Sequence, residues 1–501
     1  MPNLAGAAWA LACAAGVAGQ GAAGHGAAGP LEVSAPSSTS SASSASSASP
    51  PLHCRVAVVG GGWAGVYAAW RLAVDSGVVA AADVCLFEGG KRAGGRTYSV
   101  PVSGLIVDVG AYRFAKEMHL PADIIIHKLS LPIQCYEPSC DPDAEFNATL
   151  YKIVDENGNA AGYGTPIHTL TAQLVEAGAA VLYEHELVAI SGPESNRTLT
   201  FKNGVSVTAG QTLLNLPRPS VKKLDAPALF SDEKTAKVLG CEPCPTDNAE
   251  PIMQLKVYVV YPQPWWLTDL GIEHGLFTSV ETNPPFVGRY HDGPISRTVS
   301  IDGDVSVGQA ALEVVYTFSL QYESIDYYSQ FREFYKHFVG SEYKGNATAV
   351  DPLTVSEDSA LLEAVHGKLM AMHVDLFEQK GKSASDVGMP TSVVFGFWDL
   401  DESTLLPTPL SSNFAAQFPT CQVETCLDSI SPHDYFTTTA FPAEDLYIAN
   451  NDFYYTLYQD TPCCWAQQSL KVAERILHDK FGAPQPSWLD GEYYETAVMA
   501  L

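Results

Sequence analysis

Positive charge is scarce in this chain. Lys and Arg total 28 against 56 Asp and Glu, a formal net charge of -28, and so acidic a surface repels phosphate backbones and anionic lipid, which excludes nucleic acid as an expected partner. Charged residues of both signs are also few, 17% against 46% hydrophobic, a balance that excludes disorder for the body of the chain and permits a large core. The first 50 residues hold no Lys or Arg, which argues against a mitochondrial or chloroplast transit peptide. No apolar run is long enough for a stable membrane span: Leu4 to Ala18 is short and alanine-rich, and with small residues after it reads as a signal peptide, the alternative being a mis-assigned start or a tail. No His-Glu-x-x-His or comparable ligand cluster occurs, so no metal is expected, and His366 and His373 read as surface or core residues of one helix. A Gly-x-Ser-x-Gly elbow and internal repeats are likewise missing.

What is present begins with export signals. Asn147-Ala-Thr149, Asn196-Arg-Thr198 and Asn346-Ala-Thr348 are glycosylation sequons. The cysteines include the local pairs Cys135/Cys140, Cys241/Cys244, Cys421/Cys426 and Cys463/Cys464, which in an exported chain read as loop staples and predict disulfides for Cys135 with Cys140 and Cys421 with Cys426. A redox or zinc role for such cysteines lacks the required context. Together these features predict a secreted protein or one held in the secretory lumen. Residues 1–25 are assigned to the signal peptide and 26–53 to a Ser/Ala-rich linker, whose PSSTSSASSASSASP tract is too polar and simple to bury a core.

A chain of 501 residues exceeds what one core usually supports, so two interleaved domains are expected beyond the linker. Arg55 to Val59 is a short apolar strand, Ala64 to Val74 has helical periodicity, and Asp83 to Phe87 is a second strand, making a β-α-β unit. Val181 to Ile190, Thr198 to Phe201 and Leu255 to Tyr261 read as strands of a mixed sheet in a second, substrate-facing domain. Leu446 to Ala449 reads as a late strand and Trp465 to Phe481 as a helix.

Gly60-Gly-Gly62-Trp-Ala-Gly65 follows the first strand and opens the helix, the context that a dinucleotide-binding turn requires. Gly60 permits the tight turn, Gly62 lets backbone approach a pyrophosphate, and Gly65 permits close helix packing, while the helix N-terminus offers amide donors. Glu88 closes the second strand, where a carboxylate accepts both hydroxyls of an adenosine ribose. The alternative is a glycine-rich turn without a ligand. Directly after it stands Arg92-Ala-Gly94-Gly95-Arg96-Thr97. Here the chain resembles the flavin amine oxidase superfamily, whose first turn is followed by an R-x-G-G-R segment. The resemblance implies FAD as cofactor, with Gly60, Gly62, Gly65, Glu88, Arg92, Gly94, Gly95 and Arg96 around its adenosine, pyrophosphate and ribityl chain.

Further segments extend the resemblance. The strand containing Lys256, followed by Trp265-Trp266, looks like the family strand that carries a lysine to the flavin, which implies a water held against flavin N5 and help in reoxidation; an exposed edge lysine is the alternative. Leu187 resembles the position whose backbone contacts the adenine. Tyr447 to Asp452 and Cys464 to Leu470 resemble the closing strand and final helix entry, with Asn451 where relatives carry glutamate and with Cys464 and Gln468 near places usually held by glycine. Trp465 is a candidate cavity wall or an ordinary core residue. Val107 to Phe114 resembles the Gly-Ala-Met-Arg segment of L-amino acid oxidases, with Tyr112 in place of methionine. Arg113 then either grips a substrate carboxylate or pairs with a protein carboxylate such as Asp108.

The resemblance implies an α/β chain: a Rossmann-type FAD-binding domain interleaved with an α+β substrate domain on a mixed sheet. Residues 54–501 form this fold, with the FAD domain drawn from about 54–115, parts of 180–260 and 440–482. It implies an oxidase of amines, with L-amino acids favoured, in which hydride passes to the flavin, the imine is hydrolysed and molecular oxygen yields hydrogen peroxide. Catalytic roles fall to Lys256, Arg113 and Trp465, and cofactor contacts at the far end to Leu187 and Asn451. Two rivals stay open: a desaturase or isomerase on the same scaffold, and a secreted flavoprotein without turnover.

Overall fold

The computed structural model describes residues 52–136, 139–140, 149–240, 254–279, 284–300, 305–318, 353–355, 360–398, 431–454 and 466–500. The chain opens with β1 (His53–Val59), α1 (Trp63–Trp70) and β2 (Val84–Phe87), close to the expected β-α-β unit. A hairpin of β3 (Ser99–Val102) and β4 (Leu105–Asp108) follows, then a small sheet of β5 (Phe114–Ala115), β6 (Ile133–Cys135) and β7 (Leu150–Ile153). After α2 (Thr165–Glu176) come β8 (Ala180–Leu182), β9 (Leu187–Ser191), β10 (Arg197–Phe201) and β11 (Ser206–Leu214). The second half supplies β12 (Gln254–Tyr261), β13 (Leu276–Ser279), β14 (Phe286–Arg289), β15 (Ile295–Val299), β16 (Val305–Phe318) and β17 (Leu353–Val355). It ends with α3 (Ala360–Gln379), β18 (Ser392–Trp398), β19 (Leu446–Ile448) and α4 (Ala466–Phe481).

The first sheet runs β8-β2-β1-β11-β10-β9. Pairings among β8, β2, β1 and β11 are parallel, and β10 is antiparallel to both neighbours. The long β11 shares its outer edge: Ser206 to Ala209 pair with β10, and Thr212 to Leu214 pair in parallel with β19. Because parallel strands are covered on both faces, β1 and β2 read as continuous apolar runs. Val56 and Val58 face a core built with α1, α2 and α4, while Ala57 and Val59 face a second core with Phe87, Ile190 and Leu199. A disulfide joins Cys54 of β1 to Cys85 of β2. The spacing of these two cysteines drew no expectation because their proximity arises only from strand pairing.

The second sheet runs β13-β14-β16-β12-β18-β17, with β15 on β16, and every described pairing in it is antiparallel. The mixed pairing expected there lies instead in the first sheet. The segments Val181 to Ile190 and Thr198 to Phe201 also belong to the first sheet, where the former divides into β8 and β9 around Glu184, a non-glycine residue at φ 58. One face of the second sheet, with Leu255, Val257 and Val259, packs on Leu361, Val365 and Leu369 of α3. The other face, with Tyr258, Val260, Ala311 and Val394, packs on Val100, Val102 and Val107 of the β3-β4 hairpin. That hairpin therefore joins the dinucleotide-binding unit to the second sheet.

A register shift between β12 and β16 matters for the site. Lys256 stands opposite Tyr316, and Tyr258 opposite Glu313. The extra residue in β16 places Glu313 and Tyr316 on one face with Lys256 and Tyr258, the re-aiming that a β-bulge performs. Among the described residues no helix is long and apolar enough to cross a membrane, and no cluster of metal-ligating residues occurs.

Candidate cofactor and substrate site

The glycine turn is tight because nothing larger fits. Gly60 adopts φ +100, its amide donates to Phe87 O at 2.7 Å, and a Cβ there would lie 2.3 Å from Asn215 O. A Cβ on Gly65 would lie 1.8 Å from Gly60 O, so only glycine lets α1 start against the turn. No side chain caps α1 and no acidic residue sits in its first turn, which leaves the positive end of the helix to a ligand. Glu88 is held by two backbone donors, Gly61 N to Oε2 and Gly90 N to Oε1, each at 2.7 Å. Burial pushes its carboxyl up, and those two bonds oppose the shift.

The second glycine pair docks onto the first. Gly94 N donates to Gly61 O at 2.7 Å, Gly94 and Gly95 both have positive φ, and a Cβ on Gly95 would meet Gly62 Cα at 3.3 Å. The two arginines of this segment divide their work. Arg92, expected as a cofactor contact, donates to Ala93 O, Thr97 O and Gly95 O and lies 3.5 Å over the Tyr98 ring; it locks its own loop and is not among the residues that line the cavity. Arg96 does line the cavity, donating to Asn451 Oδ1 and approaching Asp452 Oδ1 at 3.8 Å. The residue after Asn451 thus brings a buried carboxylate, Asp452, to the Arg96 guanidinium.

These parts border one cavity of about 340 Å³. Gly60, Gly62, Glu88, Gly94, Gly95, Arg96, Leu187, Asn451 and Arg113 all line it. Gly65 acts from behind by its packing. Trp465 lies outside the described residues, although the Ala466 and Ser469 of α4 reach the wall. Sequence reasoning missed Asn215, which follows β11: with its amide oxygen toward Gly65 N (2.9 Å) and its nitrogen toward Ala449 O (2.8 Å), it ties the turn to the end of β19. It also missed Trp63 and Tyr163, two lining residues whose indole Nε1 and hydroxyl are buried without a partner among the described residues. Unmet donors of this kind suit a polar ligand.

At the far end stand Tyr112, Arg113 and Tyr316. Arg113 lies 4.7 Å from the ring centroids of both Tyr112 and Tyr136, and among the described residues no carboxylate comes within ion-pair distance of it. Asp108, the alternative partner, is engaged by Ser99 Oγ and by Tyr163 N at 3.1 Å. Lys256 is no edge residue: β12 is flanked by β16 and β18, and the side chain is fully buried. Its Nζ donates to Gly110 O at 2.7 Å and Asp108 O at 3.3 Å and sits 3.8 Å over the Tyr112 ring. It therefore backs the Gly110 to Tyr112 wall and is not itself a lining residue. Burial pushes its amine down to about 8, against the pull of Glu313, Asp292 and Asp108.

Fold and site together define a chain with a Rossmann-like unit whose cavity is closed at the far end by a second, antiparallel sheet. Residues 58–120 match the family model of the NAD(P)-binding Rossmann-like domain. No curated protein matches the chain. Similar solved structures include wild-type putrescine oxidase bound to putrescine, at 13% identity over 86% of this chain and 99% of that one, with a TM-score of 0.48. A triple mutant of putrescine oxidase redesigned in cofactor binding is similar at 12% identity, over 87% and 100% of the two chains, with the same score of 0.48.

Proposed function

We propose that this protein is a secreted FAD-dependent oxidase of the flavin amine oxidase type that acts on L-amino acids. The observation that carries the substrate class is Arg113, a cavity-lining guanidinium 4.7 Å from the ring centroids of both Tyr112 and Tyr136 and without a carboxylate partner among the described residues. A planar fork of donors kept charged in such a place complements a carboxylate.

The residues present fit FAD. Glu88 suits the ribose hydroxyls, the uncapped start of α1 and the Gly94-Gly95 turn suit the pyrophosphate, and the unmet donors of Trp63 and Tyr163 offer contacts to further polar atoms. When bound, the flavin supplies the two-electron acceptor that oxidises the C–N bond and passes the electrons on to oxygen as hydrogen peroxide. The chain's own part is to grip the substrate carboxylate through Arg113, to exclude water with Tyr112, Tyr163 and Tyr316, and to keep the Lys256 amine behind the wall. Export is supported by the Cys54–Cys85 and Cys135–Cys140 disulfides and by the exposed sequon residue Asn196. The predicted pair Cys421 and Cys426 lies outside the described residues.

The test is a flavin absorption spectrum with peroxide release across a panel of amino acids and their decarboxylated amines. The expected result is turnover of amino acids alone, with Arg113→Ala losing on the order of 2–4 kcal/mol in kcat/KM at unchanged flavin content. Equal turnover of the decarboxylated amines defeats the carboxylate grip.

A further inference from the structure

Behind the Tyr112 wall lies a second cavity, of about 500 Å³. The two cavities meet at one side chain. Tyr112 borders both: its ring centroid is 6.1 Å from that of Tyr316, which lines the first cavity, and 5.9 Å from that of Tyr136, which lines the second. Its hydroxyl donates to Asp292 Oδ2, in the wall of the second cavity, at 3.3 Å. The same two tyrosines carry a cation for each cavity. Arg113, which lines the first, stands 4.7 Å from the centroids of both the Tyr112 and the Tyr136 ring. Lys152, which lines the second, stands 5.8 Å and 4.8 Å from them.

The second cavity has charges of both signs in its wall, but its buried acids are matched and two of its cations are not. Asp292 accepts from the hydroxyls of Tyr136 and Tyr112 and pairs with Arg289 at 3.3 Å and with His291 Nε2 at 3.6 Å. Asp108 accepts from Ser99 Oγ and from Tyr163 N at 3.1 Å. Glu273, the remaining acid of the wall, is exposed. Lys152, on β7, donates from Nζ to the backbone oxygens of His291 at 3.4 Å and Asp292 at 3.1 Å, and among the described residues no carboxylate lies within ion-pair distance of it. Arg297, on β15, spends its backbone N–H on Asn159 Oδ1 at 2.7 Å, while its guanidinium has no partner among the described residues. An ammonium and a guanidinium that border one cavity without a counter-charge suit a carboxylate. The rest of the wall includes Ile106, Val154, Trp266 and Ile295, which suit an apolar body behind the acid group. We propose that the second cavity is a binding site for a small organic carboxylate with an apolar body, recognised by Lys152 and Arg297 and separate from the grip of Arg113 in the first cavity.

Calorimetric titration of the full-length protein with phenylacetate tests this, because that acid carries no amine and cannot be turned over. Phenylacetamide, of similar shape but uncharged, is the control. Arg113→Ala removes the acid grip of the first cavity and so isolates the second. The expected result is phenylacetate binding in Arg113→Ala that weakens on the order of tenfold or more when Lys152→Met or Arg297→Gln is added, with phenylacetamide weaker by a like factor. No binding of phenylacetate in Arg113→Ala, equal binding of the amide, or binding that either added substitution leaves in place overturns the proposal. Should one of these variants not fold, Arg297→Gln alone, at a half-buried strand position, decides in the wild-type background: loss of one bound phenylacetate supports the site and an unchanged count overturns it. The second site does not rest on the oxidase reading. A chain that oxidises no amino acid yet passes these titrations loses that reading and keeps the site.

Discussion

Burying an ammonium at a central strand position is costly unless acceptors meet it, and Lys256 is met by two carbonyl oxygens and the face of Tyr112. Replacement by methionine keeps the volume and removes the charge together with its desolvation cost, while Gly110 O loses a donor. Lys256→Met is therefore expected to fold and retain flavin, yet to reoxidise with oxygen on the order of 10²-fold more slowly, as when one preorganised electrostatic contact is lost. Stopped-flow reoxidation at the wild-type rate removes Lys256 from the mechanism. At this scale the sequence was informative wherever a role follows from neighbours in the chain. The glycines around Glu88 were legible because turn, strand end and helix start are contiguous. Arg92 and Arg96 looked equivalent in the same segment, and only the fold separates the arginine that locks its loop from the one that reaches Asn451. Glu313, Asp292 and Lys152 carried no signal, since nothing local marks residues that meet only when distant strands pair.

The two glycine turns behave as one element, and their tolerance of a methyl group differs sharply by position. At Gly65 a Cβ would sit 1.8 Å from Gly60 O, a backbone atom that cannot rotate away, whereas at Gly61 the nearest atom is Glu88 Oε2 at 3.1 Å, the end of a side chain. Gly65→Ala is expected to push α1 off β1, costing on the order of 1–3 kcal/mol, and to abolish flavin content. Gly61→Ala is expected to bind flavin more weakly while remaining folded. Flavin absorbance per protein and thermal melting distinguish the two, and full flavin content in Gly65→Ala contradicts the packing argument. The β-α-β unit was readable from periodicity because its pairings follow from one short crossover. The second sheet was not, because β12 pairs with β16 and β18, whose residues lie far along the chain. Alternating patterns identify strands but not partners, so β8, β9 and β10 were expected in the wrong sheet.

Across the whole molecule, the second sheet closes a cavity that the first sheet opens, and the charges enclosed between them link function to stability. Asp108 is pushed from an ordinary 3.8 up to about 6, by burial first, and Glu313 from 4.5 up to about 8. Both bind their protons more tightly folded than unfolded, so the stability they contribute is present below pH 4 and is lost as pH rises through about 6 and about 8. Lys256 runs the other way: lowered from 10.5 to about 8, it contributes above the ordinary lysine range and loses that contribution as pH falls through 8. Asp292, held below the ordinary range by Arg289 and its other neighbours despite burial, has its contribution fully in place well below pH 6. The cluster is accordingly least stabilising near pH 8. The melting temperature is expected to fall between pH 5 and pH 8, and Glu313→Gln is expected to flatten that slope by removing on the order of 1–4 kcal/mol of pH-dependent stability. Calorimetry of the two proteins across this range checks it. Parallel slopes would mean that Glu313 changes no protonation state on folding, and the proton would have to reside elsewhere in the cluster.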